Sequence, residues 1–118
     1  MTQDPADILQ DHLKVVRARF ISLLDDRLDE LEALRQAIDL GESREKALEQ
    51  IQFILHKIGG TAGTLGFAET GQMARDAENA IINNLASAGL KPPFNDTIEL
   101  VDGFLENASG ISSQSHWE

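Results

Sequence analysis

Apolar residues recur along this chain with the rhythm of an α-helix, in four separate stretches. The first runs through Val16, Phe20, Leu24, Leu28, Leu31, Leu34 and Ile38, and Gly41 is placed to end it. The second runs through Leu48, Ile51, Leu55, Ile58, Ala62 and Leu65, with Ser43 placed as its N-cap and Gly66 as its stop. The third takes Phe67, Thr70, Ala74, Ala77, Ile81 and Leu85 as its inner face. The fourth takes Phe94, Ile98, Val101, Leu105 and Ala108, capped by Asn95 or Asp96. Ahead of the first stretch, Asp4-Pro5 has the form of a helix start and leads into a short apolar turn at Ile8, Leu9 and Leu13.

Between the third and fourth stretches, SAGLKPPFND is the loop-like segment with two prolines, and the tail SGISSQSHWE has no period. No segment alternates with period two. The expected fold is therefore all-α: an antiparallel up-down-up-down four-helix bundle with a short extra N-terminal helix, lying across one end or extending the next helix. The expected division is a short helix over 1–14, the bundle over 15–108 and a frayed tail over 109–118.

Composition narrows the functional classes. A chain of 118 residues makes one domain with one core. Its formal net charge of −10 argues against binding the nucleic-acid backbone or an anionic membrane surface. It has no cysteine, so neither a disulfide nor a thiolate metal site can form. No apolar run is long enough to insert in a membrane, and the acidic N-terminus is unlike a secretory signal, so the expected location is cytoplasmic.

The candidate chemistry lies in the second helix, which contains His56. One residue past Leu55, the ring is rotated about 100° off the apolar stripe. The row through it reads Gln52, His56, Gly59, Gly63. Gly59, Gly60 and Gly63 each cost about 0.8–1 kcal/mol against alanine in a helix interior. Two explanations fit: close approach of another helix of the same protein, or a ring that must stay open to a partner. The reading adopted is that the three glycines clear the approach to His56. Gln52, Phe53, Gly59, Gly60, Gly63 and Thr64 are then the candidate docking residues. His12 and His116 lack such a surround, and no spacing suggests a metal site. The acidic run Asp25, Asp26, Asp29, Glu30 and Glu32 reads as a solvated helix face.

The run HKIGGTAGTLGF resembles the signature of histidine phosphotransfer (HPt) domains through His56, Ile58, Gly60, Ala62, Gly63, Leu65 and Gly66. The similarity extends over about residues 15–108, with the flanking helices. It implies a four-helix bundle whose histidine accepts and donates a phosphoryl group. It also implies partners: a response-regulator receiver domain, which supplies Mg²⁺ and the aspartate, and a hybrid histidine kinase. The chain itself would need no cofactor and would act as a monomer. An unperturbed imidazole, titrating at about 6.5, is available as a nucleophile near neutrality. No P-loop or kinase glycine-rich loop is present, so the expectation is a relay intermediate and not an ATP-dependent enzyme.

One position departs from the family. A lysine usually stands three residues after the histidine, where it can stabilise the phosphoryl charge, and here that position is Gly59. Lys57 is the nearest cation on the same helix, but it points about 100° away and would have to reach back. The departure keeps a second reading open: a non-phosphorylated helical adaptor that binds a receiver or a kinase. A third, the dimerising histidine domain of a sensor kinase, is disfavoured. Those domains usually follow the histidine with an acidic residue and a nearby proline, and KIGG follows His56.

Overall fold

A computed structural model describes residues 4–41, 43–86 and 94–115. It contains four helices: α1 (Pro5–Asp39), α2 (Arg44–Ala62), α3 (Ala68–Ala86) and α4 (Phe94–Ser115). Each packs on its neighbours in chain order, and α1 closes the ring against α4, as an antiparallel four-helix bundle requires.

The local chemistry explains the boundaries. The Asp4 carboxylate accepts from the Ala6 amide at 3.2 Å and Pro5 occupies the first turn, where its missing N–H costs nothing. Gly41, at φ +74°, takes the left-handed turn that stops α1. After α2, the amides of Gly66 and Phe67 bond back to the carbonyls of Gly63 and Ala62 at 3.3 and 2.9 Å. These are the two bonds of a Schellman closure, and Gly66 at φ +93° supplies its left-handed residue. Arg17 ties α1 to this turn, its Nε donating to the Leu65 carbonyl at 2.7 Å.

The predicted stripe of α2 is wholly buried, from Leu48 through Leu65. That of α1 is buried at Phe20, Leu24, Leu28, Leu31 and Ile38, with Val16 and Leu34 packed at its margin.

The N-terminal segment takes the second of its two expected placements: residues 5–14 extend the next helix as the first part of a 35-residue α1. Three expectations are corrected. Ser43 precedes α2 with φ 41°, but its side chain makes no cap bond. α4 starts at Phe94, so Asn95 and Asp96 lie in its first turn, where the Asp96 charge meets the positive helix end. The same helix continues to Ser115, carrying the expected tail into regular structure; His116 and the rest of the tail lie outside the described residues, as do loop residues 87–93.

The inner face of α4 is also rotated from the expected one. Thr97, Val101, Phe104 and Ala108 are buried, whereas Ile98 and Leu105 sit at the edge. The reason is polar: Thr97 donates to the buried Asn84 of α3, and Thr70 donates to Asn107 at 2.6 Å farther along the same pair of helices. Satisfied hydroxyl–amide pairs sit in the interior without penalty, but a hydrophobic pattern does not register them. On the opposite side Arg35 grips Asp102 through Nε at 2.8 Å and Nη2 at 3.3 Å, joining α1 to α4.

Candidate functional site

α2 and α3 run antiparallel at close range, and small residues set the distance. A Cβ placed on Gly71 would meet the Gly63 amide nitrogen at 3.1 Å and its Cα at 3.5 Å. A Cβ on Gly59 would meet Arg75 Cγ at 3.3 Å, the Gly71 carbonyl at 3.5 Å and Ala74 Cβ at 3.6 Å. The contacts 63 with 71, 59 with 75 and 56 with 78 form one register, each step along α2 matched by a step back along α3. That register brings His56 opposite Glu78.

His56 is well exposed, with 72% of its side chain in solvent, while Glu78 keeps 11%. Their contact joins imidazole Nδ1 to carboxylate Oε2 at 2.8 Å. An ionised carboxylate only accepts hydrogen bonds, so the proton belongs on Nδ1 and the lone pair on Nε2. Gln52 Nε2 donates to the same carboxylate oxygen at 3.5 Å, from one turn earlier on α2. The ring is thus held by one nitrogen and open at the other.

Two hollows flank this ridge. One, against α1, includes Phe20, Leu23, Ile54, Ile58 and Gly60 and is mostly apolar. The other, against α3, is formed by His56, Gly60, Arg75, Glu78 and Asn79.

The predicted site residues separate around these features. Gly60 stands in open space beside the ring, as a cleared approach requires. Gly59 is buried against α3 and serves helix packing, the explanation the sequence left as its alternative. Gly63 is exposed, its backbone lies against Gly71, and a Cβ there would meet only Arg75 Nη2 at 3.7 Å. Phe53 is exposed, and Lys57 Nζ lies over its ring, 4.4 Å from the centroid. Thr64 is exposed and its hydroxyl bonds the Gly60 carbonyl at 3.4 Å. Gln52 is half-buried, and its side-chain amide bonds to Glu78.

Glu78 and Arg75 went unnoticed in the sequence. The signal was present in α3: Gly71, Arg75, Glu78 and Ile82 repeat the 4, 3, 4 spacing of the His56 row. A charged row beside an alanine stripe passes for a solvated face until its neighbour is known.

Among the described residues, no group of three or more histidine and carboxylate side chains could hold a metal, and no helix is long and apolar enough to cross a membrane. The family model described as Hpt domain matches residues 15–110. The chain belongs to the Hpt-domain family. Hpt domains are phosphotransfer modules of two-component phosphorelays, distinct from ATP-binding enzymes, and they interact with receiver domains and histidine kinases. Searches of curated proteins and of solved structures find no significant match.

Proposed function

We propose that this Hpt domain relays a phosphoryl group between aspartates of response-regulator receiver domains through His56. The observation that carries the reading is the division of labour on one ring: Nδ1 bonded to a nearly buried carboxylate, with most of the side chain in solvent.

The chemistry follows from that division. The Nε2 lone pair attacks the phosphorus of an aspartyl phosphate. An N–P bond forms, the O–P bond to the aspartate breaks, and the aspartate leaves as a carboxylate. The Nδ1 proton stays in place. The ring gains positive charge as the bond forms, and the Glu78 carboxylate faces that charge at hydrogen-bond distance, where a fixed anion is most effective. Return transfer to a second aspartate reverses each step. The receiver supplies Mg²⁺ and the acceptor or donor aspartate; this chain supplies position and a fixed tautomer.

Docking falls to the surface around the ring. Leu23 and Gly60 line the α1–α2 hollow beside His56, and Phe53, an exposed apolar group, lines a neighbouring hollow that shares Arg27, Ile54 and Lys57 with it. A hybrid histidine kinase is the natural source of the phosphoryl group, through its own receiver domain, and one monomer carries the complete site.

The test is direct. Incubation with a phosphorylated receiver domain is expected to place acid-labile, base-stable phosphate on the chain, and His56→Gln is expected to abolish it while leaving helical circular dichroism unchanged. Label that persists in His56→Gln overturns the assignment. Absence of label with every receiver tried favours the adaptor reading instead.

A further inference from the structure

Resting on that relay, the geometry points to Arg75 as the phosphoryl-binding cation of the site, delivered from α3 where α2 offers only Gly59. Three observations converge on it. First, Arg75 lines the same open hollow as His56, together with Gly60, Glu78 and Asn79. Second, its guanidinium makes no ion pair among the described residues; its hydrogen bond is to the Gly59 carbonyl, at 3.3 Å through Nη2. A guanidinium left without a carboxylate partner in a chain of net charge −10 retains its capacity for an incoming anion. Third, α2 makes room for it at residue 59, where a Cβ would sit 3.3 Å from Arg75 Cγ; at residue 63 a Cβ would make only ordinary contact with its Nη2, at 3.7 Å. The missing side chain at 59 and the presence of Arg75 are two halves of one arrangement.

The other cations near the ring are engaged elsewhere. Lys57 lies over the Phe53 ring, and Arg27 pairs with Glu30 at 2.8 Å. Arg75 therefore takes the role for which Lys57 was the candidate on α2. Its planar fork suits two phosphoryl oxygens in one fixed bidentate geometry, whereas a lysine acts as a point charge. Arg75 and Glu78, one turn apart on α3, then address opposite charges of the same event: the guanidinium meets the anionic phosphoryl oxygens and the carboxylate meets the cationic ring.

A structural role for Arg75, as a strap onto the Gly59 carbonyl, makes different predictions, and the experiment separates them. The probes are a phosphorylated receiver domain and, independently of any partner, potassium phosphoramidate as a small phosphoryl donor. Arg75→Met is expected to lower the rate of His56 labelling from the receiver by about ten- to hundredfold, the worth of a charge-assisted hydrogen bond, with thermal stability nearly unchanged. Arg75→Lys is expected to recover part of the rate. The decisive variant is Arg75→Ala combined with Gly59→Lys. Removing Arg75 relieves the 3.3 Å contact a Cβ at 59 would make with its Cγ and leaves the Gly71 carbonyl and Ala74 Cβ at ordinary contact, 3.5 and 3.6 Å. With helical circular dichroism unchanged, a lysine there is expected to return a cation from α2 and restore labelling. In nitrogen-15 NMR spectra of the unsubstituted protein, the Arg75 side-chain resonances are expected to shift when phosphoramidate labels His56. Wild-type labelling rates in Arg75→Met, or no restoration by Gly59→Lys together with unmoved Arg75 resonances, overturn the assignment. If neither donor labels His56 in the unsubstituted protein, the relay itself falls and this inference falls with it. If His56 is labelled equally with and without Arg75, only this inference falls.

Discussion

Glu78 contacts His56 with one oxygen while little of its own side chain meets water, so its carboxylate has few competing partners. Removing it should change the ring before it changes the fold. In Glu78→Ala the two neutral tautomers of His56 are expected to mix, as read by long-range nitrogen–proton correlation, whereas the parent is expected to show an unprotonated Nε2. Transfer is expected to fall by about ten- to hundredfold. Glu78→Gln keeps an acceptor oxygen within reach but loses the charge, and its rate should lie between the two. Equal rates for Glu78→Ala and the parent would remove the carboxylate from the mechanism. Gly60 gives a complementary contrast. Its Cβ direction is empty, so Gly60→Ala is expected to raise folding stability by about 0.8–1 kcal/mol in chemical denaturation, as helix propensity dictates. Any fall in receiver binding by that variant measures the docking surface alone.

At the scale of elements, the separation of α2 from α3 decides whether His56, Glu78 and Arg75 meet. Gly71 sets that separation. Gly71→Ala puts a methyl 3.1 Å from the Gly63 amide nitrogen, a backbone atom that cannot rotate aside. The expected result is a loss of about 1–3 kcal/mol in chemical denaturation, typical of overpacking. Slower transfer should accompany it, because Glu78 and Arg75 move away from the ring together. Unchanged stability would mean the helices have slack there.

The same pairing shows what the sequence could and could not reveal. The stripe of α2 was legible because six apolar positions keep one period, and His56 stood out because it breaks from them. The continuity of α1 was not, since charged residues between Leu9 and Val16 mimic a boundary without a glycine or proline to make one. The face of α4 was misread because Thr97 is buried by a hydrogen bond rather than by hydrophobicity. Glu78 and Arg75 acquire meaning only from the residue across the interface, and a single chain read in order does not display that.

Over the whole molecule, length and charge set the terms of encounter. α1 spans 35 residues, about 52 Å at 1.5 Å per residue, whereas α2 and α3 have 19 each and reach about 28 Å. The first helix therefore projects beyond them, leaving Ile8, Leu9 and Val15 exposed, and the molecule measures 64 × 24 × 18 Å. The link between Arg35 and Asp102 helps hold this long helix to α4. The hydrogen bond to Asp102 raises the Arg35 pKa above its usual value. A raised cation contributes stability at every pH below its own titration, so this link is constant through the neutral range. A net charge of −10 offers no long-range attraction to the acidic pocket of a receiver, and docking depends on apolar contact near the ring. Raising salt from low to about 0.5 M is accordingly expected to change the dissociation constant of a receiver complex by threefold or less, measured by calorimetry, since screening has little favourable attraction to weaken. A steep weakening with salt would show charge pairing to be the main source of affinity.

The exposure of His56 has one last consequence, for time rather than for rate. No wall of the protein closes over the ring, so on the proposed relay a stored phosphoryl group stands in water from the moment the donor leaves. Its survival is then governed by the chemistry of the N–P bond and by the charges beside it, not by burial. Such a carrier keeps no memory of its donor. Where two receivers compete, the shares they hold at equilibrium follow their own aspartyl-phosphate energies and abundances, and this chain determines only how quickly those shares are reached.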